Sequence, residues 1–204
     1  EAYLNYNKIF GKNSVNAMVG YTYLENVYQG FGAQRSGFVT DFFGYNNLGA
    51  GSDYRIGDVY SYKGKSNLVS YFARANYAYD GKYIFTATVR RDGSSRFGAN
   101  NKWGTFPSAA VAWNITNEDF MEASSGWLNN LKLRISYGVT GNQDGIGEYK
   151  SLSILGVGND SYYDPATDSW SLAYSPTQNA NPDLKWESTA QFNVGLDFTI
   201  FYGL

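Results

Sequence analysis

The sequence predicts an all-β chain, an up-and-down run of about seven antiparallel strands with one apolar and one polar face. Three observations carry this. Apolar and polar residues alternate over several runs of strand length. Short glycine-bearing turns and long polar stretches follow one another as the connections. Aromatic residues reach 18% of the 204 positions while charged residues stay at 17%, a composition suited to half-apolar pleated surfaces.

The opening EAYLNYNKIF reads as a strand, and Gly11-Lys12-Asn13 turns it into a second, where Val15, Ala17, Val19, Tyr21 and Tyr23 oppose Asn16, Gly20 and Thr22. A polar, glycine-rich stretch from 30 to 66 follows. In the third strand Val69, Tyr71, Ala73, Ala75, Tyr77 and Tyr79 share a face, against Ser70, Phe72, Arg74 and Asn76. Asp80-Gly81 then signals a tight hairpin, because glycine accepts the positive φ such turns need. Beyond it Tyr83, Phe85, Ala87 and Val89 alternate with Ile84, Thr86, Thr88 and Arg90. Residues 91 to 104, basic and rich in glycine, lead to Ala109, Val111, Trp113 and Ile115, which oppose Ser108, Ala110, Ala112 and Asn114. Asn117 is placed to N-cap a single helical turn through Glu118, Asp119, Phe120 and Met121. Leu131, Leu133, Ile135, Tyr137 and Val139 alternate with Lys132, Arg134, Ser136, Gly138 and Thr140. After a long loop from 143 to 185, Ala190, Phe192, Val194, Leu196, Phe198 and Ile200 oppose Gln191, Asn193, Gly195, Asp197 and Thr199.

Two architectures fit this alternation. A soluble sandwich buries the apolar face against a second sheet; a transmembrane β-barrel presents it to lipid. Apart from 116–130, the tight turns fall on one rim and the stretches 30–66, 91–104 and 143–185 on the other, the asymmetry of outer-membrane barrels. Aromatics on the apolar face form two groups: Tyr77, Tyr79, Tyr83, Trp113 and Phe198 toward the tight turns, and Tyr21, Tyr23, Tyr137 and Trp186 toward the long loops. Lipid selects two such belts. An odd strand number cannot close an up-and-down barrel, and strand-like patterns reach both ends. The expected fold is therefore an all-β, antiparallel transmembrane β-barrel segment, an open sheet belonging to a larger barrel.

Several functions are excluded or left without candidates. Histidine and cysteine are absent, which removes the Ser-His-Asp and Cys-His arrangements and imidazole or thiolate metal sites. A net charge of -2 gives no field for nucleic acid. Asp41, Asp53, Asp58, Asp160, Asp164 and Asp168 are scattered through the long stretches, as solvated turn formers are. NQDGIGE offers oxygen ligands without EF-hand spacing, and the sequon Asn114-Ile115-Thr116 is incidental. No catalytic residue, cofactor or metal site is assigned, and the chain is not expected to be an enzyme.

The run YIFTATVRRDGSSRFGANNKWGTFPSAAVAWNITNEDFM, followed by WLNNLKLRISYGVTGNQDGIGEY and later by NPDLKWESTAQFNVGLDF, resembles the C-terminal barrel region of SusC/RagA-type TonB-dependent outer-membrane transporters. The likeness covers most of residues 67 to 200; residues 1 to 66 match mainly in character. It implies a Gram-negative outer membrane and a barrel of about twenty-two strands around a plug. It also implies a SusD-type lipoprotein lid, and import of oligosaccharides or peptides driven through TonB. Residues 1–204 would form a partial barrel domain, with the plug, which engages the TonB complex, and the remaining strands elsewhere in a longer polypeptide. The alternative function is a soluble or cell-surface β-rich glycan-binding module.

Residues 91–104 would then be an outer hairpin tip, with Phe97 and Trp103 as anchors and Arg91 and Arg96 reaching headgroups or a neighbouring acidic loop. In the 143–185 loop, Tyr162, Tyr163, Trp170 and Tyr174 are interleaved with Asn159, Asp160, Asp164, Asp168 and Gln178. That mixture suits sugar stacking with hydroxyl recognition, a self-packed loop, or a surface for the lid. Arg74, Arg90, Lys132 and Arg134 would face the lumen, holding the plug or simply hydrated.

Overall fold

The computed structural model describes residues 1–55, 57–124 and 126–201, apart from the side chains of 157–161 and 172. Its strands are β1 (Ala2–Phe10), β2 (Asn13–Ala33), β3 (Val59–Tyr79), β4 (Tyr83–Ser94), β5 (Trp103–Asn114), β6 (Leu128–Asn142), β7 (Ile154–Asp164), β8 (Ser169–Gln178) and β9 (Glu187–Ile200). Seven make one sheet in the order β1-β2-β3-β4-β5-β6-β9, while β7 and β8 pair separately. The expected up-and-down sheet of seven strands is present. It is open, since β1 and β9 each have one neighbour. The 143–185 stretch differs from expectation: it holds a hairpin, inserted between β6 and its partner β9.

The chain divides into two compact units, residues 1–24 with 67–204, and residues 25–66. In the first, register separates the faces. Tyr77, Phe85, Val111, Ile135 and Val194 stand opposite one another strand by strand, and so do Asn76, Thr86, Ala110, Ser136 and Asn193. Directly paired residues share a face and sequence neighbours do not, so the first row is apolar and the second polar. The apolar face is bare: Phe192 is 66% and Val194 62% exposed. A sandwich would cover such a face; nothing among the described residues does.

On the tight-turn side, Asp80 (φ 53) and Gly81 (φ 64) both take the left-handed conformation, as a two-residue hairpin turn requires. The Asp80 N–H donates to the Lys12 carbonyl at 2.7 Å, and the Lys12 ammonium pairs with the Asp80 carboxylate at 2.6 Å. Asn114 N–H donates to the Lys82 carbonyl at 2.7 Å, so neighbouring turns are stitched together. Residues 115–117 and 119–124 form 3-10 turns. Asn117 is a correction: its side-chain amide donates to the Gly81 carbonyl at 3.0 Å, tying this segment to the hairpin turn. The Glu118 carboxylate accepts from the Tyr83 hydroxyl, the Trp113 indole and the Lys82 ammonium, and these three hold it below the usual carboxylate range. Asp119 and Glu118 in turn hold the Lys82 ammonium well above its ordinary value.

In the second unit the Tyr28 and Tyr62 rings lie 6.2 Å apart, and Lys65 pairs with Glu25 at 3.0 Å. The Asp58 carboxylate accepts the Arg55 N–H at 2.7 Å and the Gln34 amide at 3.1 Å, which keeps its carboxyl below the usual range.

Candidate functional site

The long-loop end of the first unit is organised around one junction, and all three sequence motifs meet there. Between β4 and β5, Gly98 N–H donates to the Leu184 carbonyl at 2.9 Å and Asn100 N–H to the Pro182 carbonyl at 3.1 Å. The side-chain amides of Asn100 and Asn101 bind the Asp183 carboxylate (2.8 Å) and carbonyl (3.1 Å). A side chain at Gly98 would overlap the Pro182 carbonyl, so the approach of the two backbones requires glycine. Phe97, with no exposed surface, packs 4.5 Å from Trp186, which lies 5.4 Å from Phe106. Arg96 reaches Glu148 at 2.8 Å, with both side chains largely shielded. Phe97 is the anchor the sequence suggests, and Arg96 finds its acidic loop.

Two aromatic placements differ from expectation. Trp186 does not belong to the apolar-face belt: it precedes β9, outside the alternation, and its indole N–H donates to the Lys102 carbonyl at 3.2 Å. Trp103 takes that place. Paired with Gly93 in β4, it stacks on Tyr71 at 6.0 Å, and Tyr71 lies 5.3 Å from Tyr21. At the tight-turn end Tyr83 stacks on Trp113 at 6.4 Å.

Arg74, Arg90, Lys132 and Arg134 share the polar face. Arg90 binds Asp92 at 2.8 Å and the fully buried Ser70 hydroxyl at 2.9 Å. Arg134 pairs with Asp197 at 2.7 Å, and Arg74 donates to the Thr88 hydroxyl at 3.2 Å. Lys132 stands opposite Asn114 and Asp197. Below the junction a recess of about 410 Å³ opens on this face, lined by Thr88, Arg90, Asp92, Phe106, Thr140 and Trp186 among others. The contributions of Ser70, Asp92 and Glu148 are not foreseen from sequence. The Glu148 pairing has one local hint, an acid within a glycine-rich polar run.

The β7–β8 hairpin carries the aromatic candidates. Tyr163 is paired with Trp170, ring centroids 5.3 Å apart, and its hydroxyl donates to Asp168 at 2.6 Å, which raises the phenol above its ordinary value. Tyr174 follows Trp170 by four residues and shares its face, whereas Tyr162, paired with Ser171, lies on the other. Tyr162, Trp170 and Tyr174 are 63%, 71% and 68% exposed. Asp164 accepts the Ala166 N–H at 2.9 Å and so forms the turn; the side chains of Asn159 and Asp160 lie outside the described residues. Within NQDGIGE, the Glu148 carboxylate is committed to Arg96 and the Asn142 oxygen to Asp144 N–H.

A meander of strands with one uncovered apolar face, one polar face and aromatics at both ends defines a wall of the transmembrane β-barrel class. The chain belongs to the TonB dependent receptor-like, beta-barrel family, whose model matches residues 2–203. It is 41% identical to TonB-dependent receptor P3 of Formosa agariphila over 98% of this chain and 19% of that protein. With TonB-dependent receptor SusC of Bacteroides thetaiotaomicron it is 36% identical, again over 98% and 19%. Among solved structures it resembles a chain of the RagAB peptide importer in the 'closed-closed' state, with TM-score 0.77 and 32% identity over 98% of this chain and 21% of that one. The chain thus spans about a fifth of the length of the relatives it matches.

Proposed function

We propose that residues 1–204 form part of the barrel wall of a TonB-dependent importer in a Gram-negative outer membrane. The full receptor takes up oligosaccharides or peptides, works with a SusD-type lipoprotein lid, and is coupled to the TonB complex through a plug outside this segment. The observation that carries this reading is the bare apolar face, from Tyr77 to Val194 across five strands, in a chain of this family. The names of its relatives support the import reading: SusC is a TonB-dependent receptor, and RagAB is described as a peptide importer. On this reading the wall performs no chemistry. Tyr163, Trp170 and Tyr174 on one face of the β7–β8 hairpin, Tyr162 on the other and Asp164 at its turn contact ligand or lid. Arg74, Arg90, Lys132 and Arg134 face the lumen and contact the plug with the donors left over from their own pairs.

The test uses the full-length receptor in its native outer membrane, comparing uptake of labelled oligosaccharide and peptide mixtures with TonB present and depleted. The expected result is uptake of one class that stops without TonB. A receptor that purifies as a monodisperse protein without detergent, or uptake indifferent to TonB, would overturn the reading.

A further inference from the structure

We infer that Arg91 is a seat for the phosphate of an anionic lipid headgroup at the long-loop edge of the apolar face. The inference rests on the membrane-wall reading above. Across residues 67–79 of β3 and all of β4, β5, β6 and β9, register makes Arg91 the one charged side chain on the apolar face among the described residues. It stands between Tyr71 and Thr105, and its guanidinium lies 5.5 Å from the Trp103 ring. No carboxylate pairs with it among the described residues. On the polar face, Arg90 and Arg134 each have an aspartate and Arg74 donates to the Thr88 hydroxyl.

Depth decides what such a cation can meet. Arg91 is eight residues on from Tyr83 in β4, which at about 3.3 Å per residue and a tilt of about 40° is about 20 Å of height. The apolar band of an outer-membrane barrel is about 25 Å tall, with aromatic girdles at its edges. With Tyr83 and Trp113 at one girdle, Arg91 falls in the other, beside Tyr21, Tyr71 and Trp103. A guanidinium there has five donors, an aromatic platform and no protein anion. Headgroup phosphate supplies paired oxygens that fit the guanidinium fork, and neutralises it without moving it off the indole.

The test reconstitutes the full-length receptor in phosphatidylcholine nanodiscs containing a minor fraction of phosphatidic acid, and measures by native mass spectrometry which lipid remains bound. Heat-modifiable migration on a gel checks folding of every variant. Wild type should retain phosphatidic acid selectively, with a loss of about fivefold in Arg91→Gln. Arg91→Lys should keep only part of the preference, because the charge is retained while the planar fork and its stacking on Trp103 are lost. Thr105→Asp should abolish it by giving Arg91 an internal partner. Equal retention in wild type and Arg91→Gln, or displacement by inorganic phosphate at matched concentration, would overturn the inference. A wild-type receptor that never enters the bilayer would instead overturn the barrel-wall reading itself.

Discussion

The 143–186 segment carries exposed aromatics in its middle and a packed one at its end, and the two places behave in opposite ways. At its end, Trp186 closes on Phe97 and Phe106, and the backbone of 182–184 is bonded to residues 98 and 100. In its middle, Trp170 and Tyr174 of the β7–β8 hairpin stand about two-thirds exposed. Aromatic content alone therefore does not mark a recognition surface. The Phe97 junction uses its rings to exclude water around backbone bonds, while the hairpin holds rings outward with one hydroxyl-to-carboxylate bond, Tyr163 to Asp168. The first is fixed by contacts from three separate segments; the second is held at its turn and, at its base, by the Gln178 amide donating to the Tyr149 and Leu152 carbonyls.

Substitution should separate the two. Phe97→Ala should cost the full-length receptor about 3–5 kcal/mol, the range for emptying a buried aromatic site, read as the shift of a folding titration in bilayers. The faces of the sheet give the next effect. Arg at Ala87 should cost about 2–4 kcal/mol in the same titration and Arg at its neighbour Thr88 far less; equal penalties would mean that both faces are buried alike. Arg96→Met leaves the shielded Glu148 carboxylate without its cation and should cost about 2 kcal/mol. Trp170→Ala should stay within about 0.5 kcal/mol yet weaken ligand or lid binding to the receptor, measured by titration calorimetry. A large stability loss from Trp170→Ala would erase the contrast between the hairpin and the junction.

Period-two alternation made the sheet legible, because one-residue steps assign faces without knowledge of partners. Ile135 and Ser136 fall on opposite faces as their neighbours in sequence demand. The β7–β8 hairpin was not legible: its pairing shifts register between Val157 and Ser161, and its strands are polar enough to read as loop. The junction was visible only in parts. Its motifs stand out individually, but the bonds joining Gly98 to Leu184 and Asn100 to Pro182 are backbone to backbone and leave no side-chain signature. Trp186 misled for a related reason, since it sits just outside the strand whose phase it appeared to continue.

The junction also bears on the order of assembly. Asn100 and Asp183 are 83 residues apart, and β5, β6 and the β7–β8 hairpin lie between them. Contacts between near neighbours in the chain close early, and those across long separations close late because the intervening loop must first be organised. The Asp80–Gly81 turn can form as soon as β3 and β4 are laid down, whereas the Lys12–Asp80 pair, 68 residues apart, joins two hairpins already made. The Phe97–Trp186 contact has to wait until β9 has found β6. Its closure is then a marker that this stretch of wall is complete, and a receptor stalled before that point would keep Phe97 open to proteases.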